Sequence, residues 1–166
     1  MKKVIAATGV TLTLALGTSV LPANNDAGNE AHAATQPYYN YTGYTAYDSS
    51  FFVDPNFVRA VKYHNVTFNG YKIQGQHQAV PNSTKNIQVY DQLIAINKET
   101  NNAVSASFPI NQGQVSRQAI ENAYGTDYEF HSEKMSNDTG MMVYEFDGST
   151  VNIEIYHNMA DSATIT

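Results

Sequence analysis

The sequence predicts an α+β fold: a single domain with an antiparallel sheet and two short helices, arranged as two helix-then-strands units. Three observations predict it. Two helix starts carry capping signals, one at Asp54-Pro55 and one at Ser116. Asn69-Gly70 and Asp147-Gly148 are turn dipeptides set between β-rich runs. Residues 104–110 and 151–156 alternate apolar with polar side chains, the period of a half-buried strand.

In chain order, residues 1–33 read as a signal peptide. Lys2 and Lys3 form a positive n-region, residues 4–21 an apolar run, and Ala31-His32-Ala33 a small-x-small cleavage signal. Pro22 and the polar residues 24–30 end the apolar run, so no membrane span is expected in the mature protein. Cleavage after Ala33 leaves about 133 residues, a one-domain length that can build a core without staples. The absence of cysteine removes disulfides, thiolate metal sites and a lipoprotein anchor from consideration. With no C-terminal sorting signal in view, the expectation is a secreted protein, extracellular or loosely associated with the cell surface.

Residues 34–53 form a tyrosine-rich N-terminal arm, and residues 54–166 the α+β domain. The arm has neither a helical nor a strand period. In the first helix Asp54 caps, Pro55 takes the first turn, and Val53 can staple to Val58. Phe57, Val58 and Val61 make its buried stripe, while Arg59, Lys62 and Tyr63 share the outer face. That helix is expected to end near His64. Two short strands flank Asn69-Gly70, and a polar connection covers residues 74–85. Residues 87–96 read as one strand and 104–110 as the next. In the second helix Ser116 caps, Val115 can staple to Ile120, and Gly125 is expected to close it in a left-handed stop. Strands are expected at 128–134, 142–146 and 151–156.

Charge divides the chain. Residues 34–90 hold four Lys/Arg against two acids, +2; residues 91–166 hold three against eleven, −8. A formal net charge of −6 disfavours long-range attraction to nucleic acid or anionic lipid, but leaves room for a local basic patch. The aromatic residues crowd into the basic half: Pro37-Tyr-Tyr-Asn-Tyr-Thr-Gly-Tyr44, then Tyr47, Phe51, Phe52 and Phe57. Rings interleaved with cations are what a surface needs to stack bases and hold phosphates. Tyr38, Tyr39, Tyr41, Arg59, Lys62, Tyr63 and Lys72 are therefore the candidate nucleic-acid-binding residues. The alternative is that the rings cover a core edge and the charges sit on an ordinary solvated face.

Other chemistries find little purchase. His64, His77, His131 and His157 lack metal-ligand spacing, so no metal is expected. Asp127, Glu129, Glu133 and Asp138 lie close together without the order of a calcium loop. There is no Gly-x-Ser-x-Gly elbow and no glycine-rich phosphate loop. Neither catalysis nor a cofactor is expected.

Several motifs resemble one known family. They are Pro37-Tyr-Tyr-Asn-Tyr-Thr-Gly-Tyr44, Asn56-Phe57, Lys62-Tyr-His-Asn-Val-Thr-Phe-Asn-Gly70, Ala123-Tyr-Gly125 and Asp138-Thr-Gly140. Together they resemble the immunodominant staphylococcal antigen B family of secreted proteins, most specifically over residues 37–73. The resemblance implies a protein met by the host immune system that binds extracellular DNA or RNA. On this acidic chain, such binding is expected to be weak and indifferent to sequence, because few cations are present to displace counterions. The competing expectation is a protein-interaction module that meets a host or cell-wall partner through its aromatic N-terminal region.

Overall fold

The computed structural model describes residues 36–74 and 83–166. The expected signal peptide, His77 and most of the 74–85 connection lie outside the described residues. The described chain is mostly β, which corrects the α+β expectation. Ten strands form two sheets, and only two α-helices of eight residues each accompany them. The strands are β1 (Tyr39–Tyr41), β2 (Val66–Phe68), β3 (Tyr71–Lys72), β4 (Thr84–Val89), β5 (Gln92–Asn97), β6 (Ala103–Pro109), β7 (Glu129–Ser132), β8 (Gly140–Phe146), β9 (Ser149–Tyr156) and β10 (Met159–Ile165). The helices are α1 (Pro55–Lys62) and α2 (Arg117–Tyr124), and a 3-10 helix (Ser50–Val53) leads into α1.

Strand pairing also overturns the two-unit arrangement. One seven-stranded sheet runs β4-β5-β6-β10-β9-β8-β7, so β4, β5 and β6, which lie between α1 and α2, and the strands after α2 are parts of one sheet. Every pairing in it is antiparallel. The small sheet, β1-β2-β3, contains a parallel pair, β1 with β2. A parallel pair needs a crossover rather than a hairpin. Here the 3-10 helix and α1 provide it.

Three sequence features explain the miscount of strands. β1 lies inside the arm, where three residues are too few to show a period. Residues 87–96 are not one strand but the ends of β4 and β5, which turn tightly at Tyr90-Asp91 with Tyr90 at φ +54°. β10 carries Ala160, Ala163 and Ile165 inward, an apolar set too small to announce a strand, and a register shift between Ala160 and Ser162 breaks its alternation. Yet β10 is the middle strand of the sheet.

Local chemistry holds where it was legible. The Asp54 carboxylate accepts from Asn56 N–H at 2.7 Å, and Ser116 Oγ accepts from Ala119 N–H at 3.1 Å. Asn69 and Gly70 take φ +48° and +89°, the paired positive values of a tight hairpin turn. Gly125 ends α2 at φ +102°, ψ −178°, a glycine conformation but not the expected left-handed stop.

The core lies between the seven-stranded sheet and a layer made of the helices and the small sheet. Ile94, Ala106, Phe108, Ala163, Ile153, Met142 and Tyr144 line the sheet's inner face. Against it pack Phe51, Phe52, Phe57 and Phe68 in edge-on and tilted contacts, with Phe68 and Phe108 5.0 Å apart. Tyr124 of α2 extends the stack to Tyr144 at 5.3 Å and donates its hydroxyl to Phe52 O at 3.0 Å. The small alanines of β6 and β10 leave room for these rings.

Candidate nucleic-acid interface

α1 buries Phe57, Val58, Ala60 and Val61, so its turn-to-turn spacing sends Arg59 and Lys62 outward. Tyr63, just past the last turn, is 55% exposed on the same side. Arg59 is held by its own helix: its guanidinium donates to Asn56 Oδ1 at 2.6 Å and to Pro55 O at 3.3 Å. Lys62 lays its stem across the end of β8, with Nζ 5.1 Å from the Phe146 ring centre and 3.4 Å from Tyr124 O. Both cations sit in the last turn of α1, where they also complement the helix dipole. The β8–β9 turn reaches the same end of the helix, where His64 Nε2 meets Asp147 O.

The other candidates lie elsewhere. Asn40, Thr67 and Lys72 are cross-strand partners on one face of the small sheet, and Tyr38 lies one residue before β1 on that side. Tyr39, Tyr41 and Phe68 point to the opposite face, the one α1 covers. Tyr38 and Lys72 are thus exposed on the face of the small sheet away from α1, although the backbone beside Tyr38 stays near the end of that helix, with Asn65 Nδ2 donating to Pro37 O at 3.0 Å. Tyr39 is buried, edge-on to Phe57 at 5.2 Å, and a ring so covered cannot stack a base. Tyr41 is half-buried on Phe51, 4.2 Å between centres, with its hydroxyl donated to Tyr44 O at 2.8 Å. Both hydroxyls have pKa values pushed up to about 12. Burial is the main cause for each, and Asp54 and Asp48 add to it at Tyr39, Asp91 and Asp48 at Tyr41.

Exposed rings outside the candidate set gather where the loop after β1 meets the β4–β5 turn. Tyr44, Tyr47 and Tyr90 are each more than half exposed, and Tyr44 meets Tyr90 edge-to-face at 4.9 Å. Polar residues pin the loop beneath them. The Asp91 carboxylate accepts from Thr45 N–H at 2.9 Å and Ala46 N–H at 2.8 Å. The fully buried Gln92 donates to Gly43 O at 2.9 Å and accepts from Asn69 Nδ2. Asn69 Oδ1 accepts from Gly43 N–H at 2.8 Å. Ser49 donates to Thr45 O at 2.7 Å and accepts from Asn111 N–H at 2.7 Å. The sequence signal for this cluster is weak, because Tyr-Asp is not a turn dipeptide and Asp91 and Gln92 lie over 40 residues from Gly43, Thr45 and Ala46.

A cavity of about 10 Å³ lies beside His64, lined by Val61, Val66, Ile73 and Ile165, with room for no more than a water. Among the described residues no group of three His, Asp or Glu could hold a metal ion, and no helix is long and apolar enough to cross a membrane.

Comparison with known proteins agrees with the motifs. Residues 38–165 match the sequence profile of the family described as immunodominant staphylococcal antigen B. The chain belongs to that family. Proteins of that name from Staphylococcus aureus strains USA300, COL and N315 are each 33% identical to it over 164 residues, covering 94% of this chain and 90% of the relative. The immunodominant staphylococcal antigen B relatives are named as antigens, not as enzymes. No solved structure matches this chain. The matched region contains the whole of both sheets, α1 and α2.

Proposed function

We propose that this family member is a secreted, non-catalytic protein that holds extracellular nucleic acid weakly and without sequence preference on the outer face of α1. The observation that carries the reading is the grouping of Arg59, Lys62 and Tyr63 within about one helical turn, all solvent-facing. Two cations reach two phosphates, and an exposed ring beside them can stack on an unpaired base. Nothing in the group presents the paired donors and acceptors that read base edges, so sequence preference is not expected. Lys72 and Tyr38, on the other face of the small sheet, take an accessory part in this reading. Export rests on the n-region, apolar run and cleavage signal of residues 1–33.

The test is fluorescence anisotropy of a labelled generic duplex titrated with the mature protein at low salt. The Arg59→Ala/Lys62→Ala variant is expected to lose most of the binding, and Lys72→Ala little of it. No binding by the parent protein would overturn the reading. Equal loss with Lys72→Ala would move the site off α1. N-terminal sequencing of material from the culture medium tests export, and an intact Met1 there would refute the cleavage.

A further inference from the structure

We infer that the Tyr44–Tyr90 platform is a second binding site, one that takes a lysine- or arginine-rich peptide segment of a partner protein. It uses none of the α1 residues and is independent of the nucleic-acid reading. The first observation is conformational. Tyr90 sits at φ +54° in the two-residue turn between β4 and β5, a place where Gly, Asn or Asp is the ordinary occupant. Tyr90 is one of eight non-glycine residues at positive φ among the described residues, most of them in turns, so the left-handed backbone matters here for where it places the ring. Here the turn lifts the ring out of the sheet and sets it against Tyr44.

The second observation is rigidity. Gly43, Thr45, Ala46 and Ser49 are each tied through the backbone to Asn69, Gln92, Asp91 or Gln114. The loop that carries Tyr44 and Tyr47 is therefore set before any ligand arrives, which lowers the ordering cost of binding. Gln88 Nε2 donates to Tyr90 O at 3.1 Å and steadies the other side of the platform.

Charge selects the ligand. Asp91 lies directly under the loop, and Asp48 follows Tyr47 with its carboxylate exposed, accepting from Ser50 N–H at 3.0 Å. Asp91 holds the two amides that follow Tyr44, and Asp48 is the residue after Tyr47, so both carboxylates belong to the loop that carries the exposed rings. Residues 36–58 contain no lysine or arginine. Electron-rich ring faces beside two carboxylates attract cations and repel phosphates. A basic segment also suits a chain of net charge −6, whose field steers it inward.

The experiment uses the mature protein and three probes: fluorescein-labelled deca-arginine, a labelled DNA duplex and unlabelled maltohexaose. Deca-arginine should bind the parent. Tyr44→Ala/Tyr90→Gly should weaken it about tenfold, the loss of two cation–π contacts. Asp48→Asn should weaken it about threefold, and Arg59→Ala/Lys62→Ala should not weaken it. Tyr90→Gly relieves the left-handed backbone, so the melting temperature of that single variant should hold or rise, which separates lost binding from lost folding. Equal deca-arginine binding by parent and tyrosine variant would overturn the proposal, as diffuse attraction to an acidic chain. Maltohexaose binding that needs the tyrosines but ignores Asp48→Asn would overturn it in favour of a glycan platform. Duplex binding lost in the tyrosine variant and kept in the α1 variant would overturn both this assignment and the α1 reading. Loss of duplex binding in the α1 variant alone leaves the two sites separate, as proposed.

Discussion

Asp91 shows how much one side chain organises. Its two oxygens collect the amides of Thr45 and Ala46, and without them both amides lose a charged partner. Asp91→Ala should increase hydrogen exchange at Thr45 and Ala46 sharply, while the amides of β9 and β10 stay protected. Unchanged exchange at Thr45 and Ala46 would show that Gln92 and Asn69 suffice to hold the loop. Gly140 offers a simpler case at the same scale. A Cβ built there would lie 2.3 Å from His131 O, a backbone atom that cannot swing aside. Gly140→Ala should therefore cost about 1–3 kcal/mol, the usual penalty of overpacking, read from the shift in a urea midpoint. At Tyr90, by contrast, the left-handed backbone makes glycine the easier residue.

Among elements, the helix caps were legible and the middle of the sheet was not. Asp54-Pro55 and Ser116 signal their helices through local hydrogen bonds, which depend only on neighbours in sequence. Asp54→Ala should cost about 1 kcal/mol of stability, measured by thermal melting. β10 is specified by its neighbours β6 and β9, and its alanines carry no β preference of their own. In the same way β4 and β5 looked like one strand because Tyr90-Asp91 has none of the usual turn chemistry. The β7–β8 loop gains its order both from its own side chains and from the distant β9–β10 turn. Hydrogen bonds from Ser136, His157 and Thr139 hold the Asp138 carboxyl at about 2, below the ordinary 3.8, and Asn158 N–H donates to Asp138 O at 2.7 Å. A carboxyl lowered on folding stabilises the fold above its unfolded value, and that contribution is lost as pH falls toward about 2. Asp138→Asn should therefore be less stable than the parent at about pH 6 and converge on it near pH 2. A gap that persists unchanged at the acid end would count against this role.

For the whole molecule, the aromatic core sets the alkaline limit. Burial raises the pKa of Tyr39 and Tyr41 to about 12, and pushes Tyr124 and Tyr144 up as well. A tyrosine raised on folding leaves stability intact below the unfolded value of 10 and erodes it as pH climbs toward about 12. The urea midpoint should hold to about pH 9 and then drop steeply by about pH 11. The candidate interface was only half legible at this scale. Helical spacing placed Arg59, Lys62 and Tyr63 on one surface, because that spacing is local. Nothing local told Tyr38 from Tyr39, or Lys72 from Lys62. Their faces are fixed by the parallel pairing of β1 with β2 and by α1 lying over one side of that sheet. The tyrosines of the arm therefore divide between core and surface, and the acidic β8–β9 turn comes to rest beside the basic end of α1.

The most direct test of the central claim is the salt dependence of duplex binding between about 50 and 200 mM salt. If Arg59 and Lys62 carry the contact, log K against log salt should fall with a slope of about −2, near −0.9 for each of two phosphates. The Arg59→Ala/Lys62→Ala variant should flatten that slope toward zero. A slope left unchanged by the substitutions would contradict the assignment of nucleic-acid binding to the outer face of α1.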